Sequence, residues 1–209
     1  MTYKTEQEQF WSGEFGDEYV QRNFGGGLID SNAAFFAKVF ANTGSVDSII
    51  EFGSNRGINL HAIKRLLPDT QLDAVEINKL AYELLVEWGG CANVFHQSAL
   101  DFAVTRQYEM SLIKGVLIHI NPAYLEQMYD VLYKSSKRWI LVGEYYNPTP
   151  VEIDYRGHKG RLFKRDFAGE MMDRYPSLKI VDYGFIWHRD AHFPLGDMTW
   201  FLMEKSAQA

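Results

Sequence analysis

A chain of 209 residues, 46% hydrophobic and 15% aromatic, has enough length and apolar content for one α/β domain with a sizeable core, and little left for a second. Its net charge of −6 argues against a nucleic-acid or anionic-membrane partner, since either wants a basic face, and points instead to a small molecule. The single cysteine, Cys91, excludes a disulfide framework and an all-cysteine metal site; no metal is expected. Met1 to Glu6 carry no apolar signal core, and no run approaches the ~20 apolar residues of a membrane span, so a cytoplasmic protein is expected.

Residues 1–45 read as a helical cap belonging to the same domain, and residues 46–209 as its body. Trp11, Phe15 and Tyr19, spaced four apart, would share one helix face, although Gly13 and Gly16 weaken that helix. Two readings stand for these rings. They pack on the domain, or they form a lid in which Tyr19 caps a ligand, Arg22 pairs with a carboxylate and Gly25-Gly26-Gly27 is the hinge. Ala33 to Ala41 reads as a helix.

The apolar pair Ile49-Ile50 reads as a buried parallel strand. It passes through Glu51 into Gly53-x-x-x-Gly57 and then into the helical period of Leu60, Ile63, Leu66 and Leu67. Gly53 and Gly57 allow turn dihedrals and a close ligand approach at a helix N-terminus. A dehydrogenase fingerprint would set two glycines one residue apart to admit a pyrophosphate, which this spacing does not. The second strand, Gln71 to Glu76, ends in an acid at the offset where a carboxylate accepts both hydroxyls of a ribose.

Further along, Leu80 to Trp88 reads as a helix stopped by Gly89-Gly90, Asn93 to His96 as a third strand, and Gln97 to Asp101 as a loop. Met110 to Ile113 and Trp139 to Glu144 read as the fourth and fifth strands, with a helix over Tyr124 to Tyr133 between them. Five strands alternating with helices imply a doubly wound parallel sheet whose ligands collect at the strands' carboxyl ends. A helix over Lys164 to Tyr175 follows, then strands over Ile180 to Trp187 and Thr199 to Glu204, joined by the loop His188 to Met198.

The acid-x-Gly-x-x-x-Gly pattern at Glu51, Gly53 and Gly57 resembles motif I of the class I S-adenosylmethionine (SAM) methyltransferases. Four stretches, Phe10 to Asn23, Glu51 to Leu60, Gly115 to Pro122 and Glu144 to Gly169, together resemble the pseudaminic acid biosynthesis-associated methylases, which are small SAM-dependent enzymes. The resemblance implies a Rossmann-like, doubly wound, seven-stranded, mainly parallel sheet with its last strand antiparallel. It also implies SAM as cofactor, S-adenosylhomocysteine (SAH) as product, and methyl transfer to N or O of a small molecule, a sugar or nonulosonic (pseudaminic-type) acid derivative. It places Glu51, Gly53, Asn55 and Gly57 along the methionine and ribose, Glu76 on the ribose hydroxyls, and Ile77 beside the adenine. Ser98, Ala99 and Leu100 fall at the adenine edge, and Lys114 and Gly115 under the sulfonium. Lys114 departs from the acidic or small polar residues frequent there; its ammonium is expected to turn away from a sulfonium or to bind an anion.

Methyl transfer is an in-line displacement that asks chiefly for alignment and exclusion of water. His119 is the candidate base for the acceptor's proton, the alternative being a structural histidine that caps the next helix. Tyr145 and Tyr146 are candidates to hydrogen-bond a hydroxyl or face the sulfonium. The run His158 to Arg165 is the one basic cluster. It is a solvated loop, or else His158, Arg161 and Arg165 grip the carboxylate or phosphate of an acidic or nucleotide-linked sugar. A peptide or protein methyltransferase and a non-catalytic SAM-binding subunit are the rival readings, and no oligomeric state is legible.

Overall fold

The computed structural model describes residues 2–206. Three helices lead the chain: α1 (Glu6–Ser12), α2 (Glu14–Arg22) and α3 (Gly26–Phe40). The alternation β1 (Ser48–Phe52), α4 (Ile58–Leu66), β2 (Gln71–Glu76), α5 (Lys79–Trp88), β3 (Asn93–His96), β4 (Tyr108–Lys114), α6 (Leu125–Ser135) and β5 (Ser136–Glu144) follows. A hairpin of β6 (Val151–Tyr155) and β7 (His158–Lys164) comes next, then α7 (Phe167–Arg174), β8 (Leu178–Ile186) and β9 (Met198–Lys205).

The main sheet has the order β3-β2-β1-β4-β5-β9-β8, in which β9 runs antiparallel to both of its neighbours and the other strands are parallel. This is the seven-stranded class I methyltransferase fold that the sequence implied. Its central strands are apolar on both faces because helices cover both. Ile50, Ile113 and Val142 pack into a core with α6 and α7, while Ile49, Leu112 and Leu141 point the other way, into a core with α3 and α4. Each such side chain contributes about 1.5–3 kcal/mol by leaving water.

Three expectations need correction. The cap is not one helix, because Gly13 is at once the C-cap of α1 and the N-cap of α2. The rings still meet edge-on across that break, with Trp11 5.5 Å from Phe15 and 5.2 Å from Tyr19. Gly16 allows the approach: a Cβ there would lie 1.9 Å from the Trp11 carbonyl oxygen. The triple glycine is not a hinge, since Gly25 is the N-cap of α3 and Gly26 and Gly27 form its first turn, so the helix begins well before Ala33. Finally, the basic run is not a loop. It is strand β7, paired with β6 in a separate two-stranded sheet, and α7 therefore starts at Phe167 rather than Lys164.

Candidate functional site

The carboxyl ends of β1, β2, β4 and β5 open into a cleft of about 390 Å³ under a roof made by α1, α2 and the β6–β7 hairpin. A narrower annex of about 80 Å³ continues it toward Ser98, Ala99 and Leu100, and the two spaces share Trp11, Gly53, Ile77, Val116 and His119. A single concave space of this size suits a small ligand.

The floor is the turn after β1. Gly53 (φ +72°) and Gly57 (φ +76°) take the left-handed conformations that favour glycine. All five amides of Gly53 to Gly57 are engaged within the corner: Gly53 and Ser54 donate to the Val75 carbonyl, Asn55 to Glu76, Arg56 to Asn55 Oδ1 and Gly57 to the Ser54 carbonyl. None is left to hold a pyrophosphate. Glu76 instead faces the cleft as a buried carboxylate, fixed by the amides of Asn55 (2.6 Å to Oε2) and Asn78 (2.7 Å to Oε1). Burial pushes its pKa up, and these backbone bonds oppose the rise. Each oxygen keeps a lone pair for a further donor, which is the arrangement two vicinal hydroxyls require.

Behind the floor two buried acids flank Lys114. Glu51 accepts from Asn59 at 2.6 Å, and burial lifts its pKa to about 8; Glu144 accepts from the amides of Val116 and Leu117 at 2.9 and 2.8 Å, and burial lifts it to about 7. Each acid leaves its Oε2 without a partner. Lys114 lines the cleft and feels both acids, which support its charge while burial lowers its pKa. Its side chain passes over Gly143, where a Cβ would come within 3.2 Å of Lys114 Cγ.

His119 closes the cleft from the β4 side. Its Nδ1 lies 2.6 Å from the Arg161 carbonyl, an atom that only accepts, so Nδ1 carries the proton and Nε2 is the bare nitrogen. Burial, and packing against Trp11 at 4.5 Å and Tyr155 at 5.0 Å, hold the ring neutral with a pKa lowered to about 4. On the roof, Tyr19, Tyr145, Tyr155 and Arg156 all line the same space. Burial raises the Tyr19 phenol to about 12 and raises Tyr145 as well.

Of the residues singled out in the sequence, Tyr19, Gly53, Asn55, Glu76, Ile77, Ser98, Ala99, Leu100, Lys114, Gly115, His119 and Tyr145 line the cleft or its annex. The others lie elsewhere. Glu51 sits behind the wall and reaches it through Asn59, whereas Gly57 packs on α5, where a Cβ would lie 2.6 Å from Leu85. Arg22 is exposed over Phe15 and Tyr19 and 3.8 Å from Glu18. Tyr146 is 41% exposed and packs on Phe201.

The three basic candidates lie outside the wall of the cleft, and each packs or pairs within the protein. His158 packs against Phe10 at 4.9 Å, Arg161 pairs with Glu6 at 3.3 Å, and Arg165 pairs with Glu170 at 2.7 Å. Sequence reading also missed how the cap is fastened. Glu8, in a capping box with Thr5, reaches the Ser98 hydroxyl, while Asn78 donates to Asp17 at 2.7 Å and to the Trp11 carbonyl at 3.3 Å. The box signature Thr5-x-x-Glu8 was readable; its partner Ser98 was not.

Among the described residues there is no group of three or more His, Cys, Asp or Glu placed to hold a metal, and no helix is long and apolar enough to cross a membrane. The chain matches no family model and no curated protein. Its fold is nevertheless shared with solved methyltransferases. The plantazolicin methyltransferase in complex with SAH is 12% identical, with 96% of this chain and 94% of that one covered at a TM-score of 0.68. The Burkholderia thailandensis 1,6-didemethyltoxoflavin-N1-methyltransferase, with its namesake compound and SAH bound, is 12% identical over 96% and 87% of the two chains at 0.68. The SAM-bound magnesium protoporphyrin IX methyltransferase from Synechocystis is 11% identical over 99% and 100% at 0.66. These likenesses establish the fold, and the narrower resemblance to the pseudaminic acid-associated methylases rests on the sequence motifs.

Proposed function

We propose that this chain is a SAM-dependent methyltransferase that modifies N or O of a small molecule. The observation that carries the reading is Glu76: a buried carboxylate whose two oxygens are aimed by backbone amides at a cleft whose glycine turn offers no amide to a phosphate. In this reading Glu76 holds the ribose, Ile77 and the annex at Ser98 to Leu100 receive the adenine, and Gly53, Asn55 and Gly115 border the methionine arm. The motif resemblance supports a sugar or nonulosonic-type acid derivative as acceptor. The roof of α1, α2 and the hairpin favours a small molecule over a protein, since it covers the cleft from two sides.

When bound, SAM supplies an electrophilic methyl on a sulfonium, and alignment is the main task left to the protein. Trp11, Tyr19 and Tyr155 screen the space from water. A neutral His119 puts no positive charge beside a sulfonium, and its bare Nε2 accepts a hydrogen bond from an attacking N–H or O–H. With a conjugate-acid pKa near 4, His119 orients the acceptor and is a weak proton sink, so the proton passes on to solvent or to a stronger base. Thermal-shift titrations test the reading: SAM and SAH stabilise the protein and NADH does not. Stabilisation by NADH alone would replace it with a dehydrogenase.

A further inference from the structure

The wall of the cleft carries one arginine that pairs with nothing among the described residues. Arg156 is the only arginine in the wall of the cleft among the described residues. It forms no ion pair and no hydrogen bond among them, whereas Arg161, Arg165 and Arg22, the arginines a reader of the sequence would choose, are each matched to a glutamate. Its backbone is also costly. Arg156 and Gly157 form the turn between β6 and β7, and Arg156 takes φ +50°, a left-handed conformation that costs a non-glycine residue about 1–2 kcal/mol. Asparagine or glycine would fit that turn better.

The guanidinium rests 5.9 Å from the Tyr155 ring centroid and lies close enough to the Tyr19 and Tyr145 phenols to pull against the rise in their pKa values. Those phenols are neutral at pH 7, and Arg156, exposed on the turn, has no carboxylate in ion-pair contact among the described residues. Lys114, the other cation in the wall, differs, because Glu51 and Glu144 flank it.

We propose that Arg156, carried on the tip of the β6–β7 hairpin, recognises an oxyanion on the methyl acceptor, a carboxylate or a phosphate, with the Tyr19 and Tyr145 hydroxyls as neighbouring donors. The inference rests on the methyltransferase reading and adds to it the charge of the acceptor and the residue that selects it. A guanidinium offers paired N–H groups to the two oxygens of such an anion, which is how arginine discriminates against neutral analogues.

The test uses the full chain, methyl-labelled SAM and the deproteinised small-molecule fraction of a cell extract, with products separated by anion exchange. Labelled product should bind the resin at neutral pH, and alkaline phosphatase should release it if the anion is a phosphate monoester but leave it bound if it is a carboxylate. Arg156→Ala should cut the yield at least tenfold, Arg156→Lys less, and neither should change the Kd for SAH more than twofold. On serial dilution of the extract the loss should shrink as acceptor concentration rises, the mark of a KM effect. Label in the flow-through, an unchanged yield from Arg156→Ala, or an equal loss of SAH affinity would each overturn the inference. So would SAH binding without any labelled product, whereas absence of SAH binding would instead remove the methyltransferase reading beneath it.

Discussion

The corner between β1 and β2 and the roof above it face the same cleft but are built in different ways. The corner is short-range and made of backbone: Asn55 and Glu76 are 21 residues apart, and the bonds that aim the carboxylate come from main-chain amides. The roof is long-range and made of side chains. Gln7 reaches the Gly160 carbonyl across 153 residues, Glu8 reaches Ser98 across 90, and Arg161 spans 155 to Glu6. The corner therefore has the construction of a fixed binding floor, and the roof that of a specificity element that can be rebuilt without disturbing the sheet.

The largest effect expected from this contrast is at Glu76. Glu76→Ala removes a carboxylate suited to two charge-assisted hydrogen bonds, each worth about 1.5–3 kcal/mol, so SAM affinity should fall at least ~100-fold by calorimetry, with Glu76→Gln intermediate. Loss of fold would be visible in the circular dichroism spectrum and would separate the two explanations. Next is Gly16, where the roof meets itself. Gly16→Ala forces α1 and α2 apart and should destabilise the protein by about 1–3 kcal/mol, seen as a lower Tm, whereas Gly26→Ala, with nothing within 4 Å, should be neutral or slightly stabilising. An equal loss at Gly26 would contradict the open surroundings the structure gives it.

The third prediction concerns pH. Glu51 and Glu144, raised to about 8 and about 7, bind more protons folded than unfolded, so their contribution to stability is lost as pH rises through those values. His119, lowered to about 4, works oppositely: it destabilises on acidification between about 6.5 and 4 and is silent above that interval. Between pH 6.5 and 8 His119 no longer contributes and the two acids do. Stability should fall there by about 1–2 kcal/mol for Glu51 alone, and Glu51→Gln should flatten that slope in thermal melts. The smallest effect is at Arg161. Its pairing with Glu6, which is 80% exposed at the side chain, is worth no more than about 1 kcal/mol, and Arg161→Ala should leave SAM affinity within twofold. A large loss of acceptor turnover with SAM affinity intact would return the anion grip to the basic run.

The same contrast decides what could be read beforehand. The strand–helix alternation, Glu76 and the glycine turn were legible because each depends on residue type at fixed local spacing. Ile49 and Ile50 declared a two-faced strand, and the acid at 76 lay one unit beyond the glycines. The hairpin was missed although its signal was present: Val151, Ile153 and Tyr155 alternate with Glu152 and Asp154, a period of two leading into Arg156-Gly157. Charge drew attention to His158 to Arg165 instead. Yet a charge in sequence does not reveal its partner, and Glu6 and Glu170 had already taken Arg161 and Arg165. Tyr145 and Tyr146 show the limit most simply: adjacent strand-end residues point to opposite sides, and only Tyr145 reaches the cleft.

The central claim is that the floor beside β1 and β2 binds the nucleoside of SAM, and a crystal structure grown with SAH tests it most directly. The account predicts ribose hydroxyls on Glu76 and adenine beside Ile77 in the annex at Ser98 to Leu100. SAH found elsewhere on the molecule, or bound in the cleft with Glu76 making no contact to it, would contradict the account.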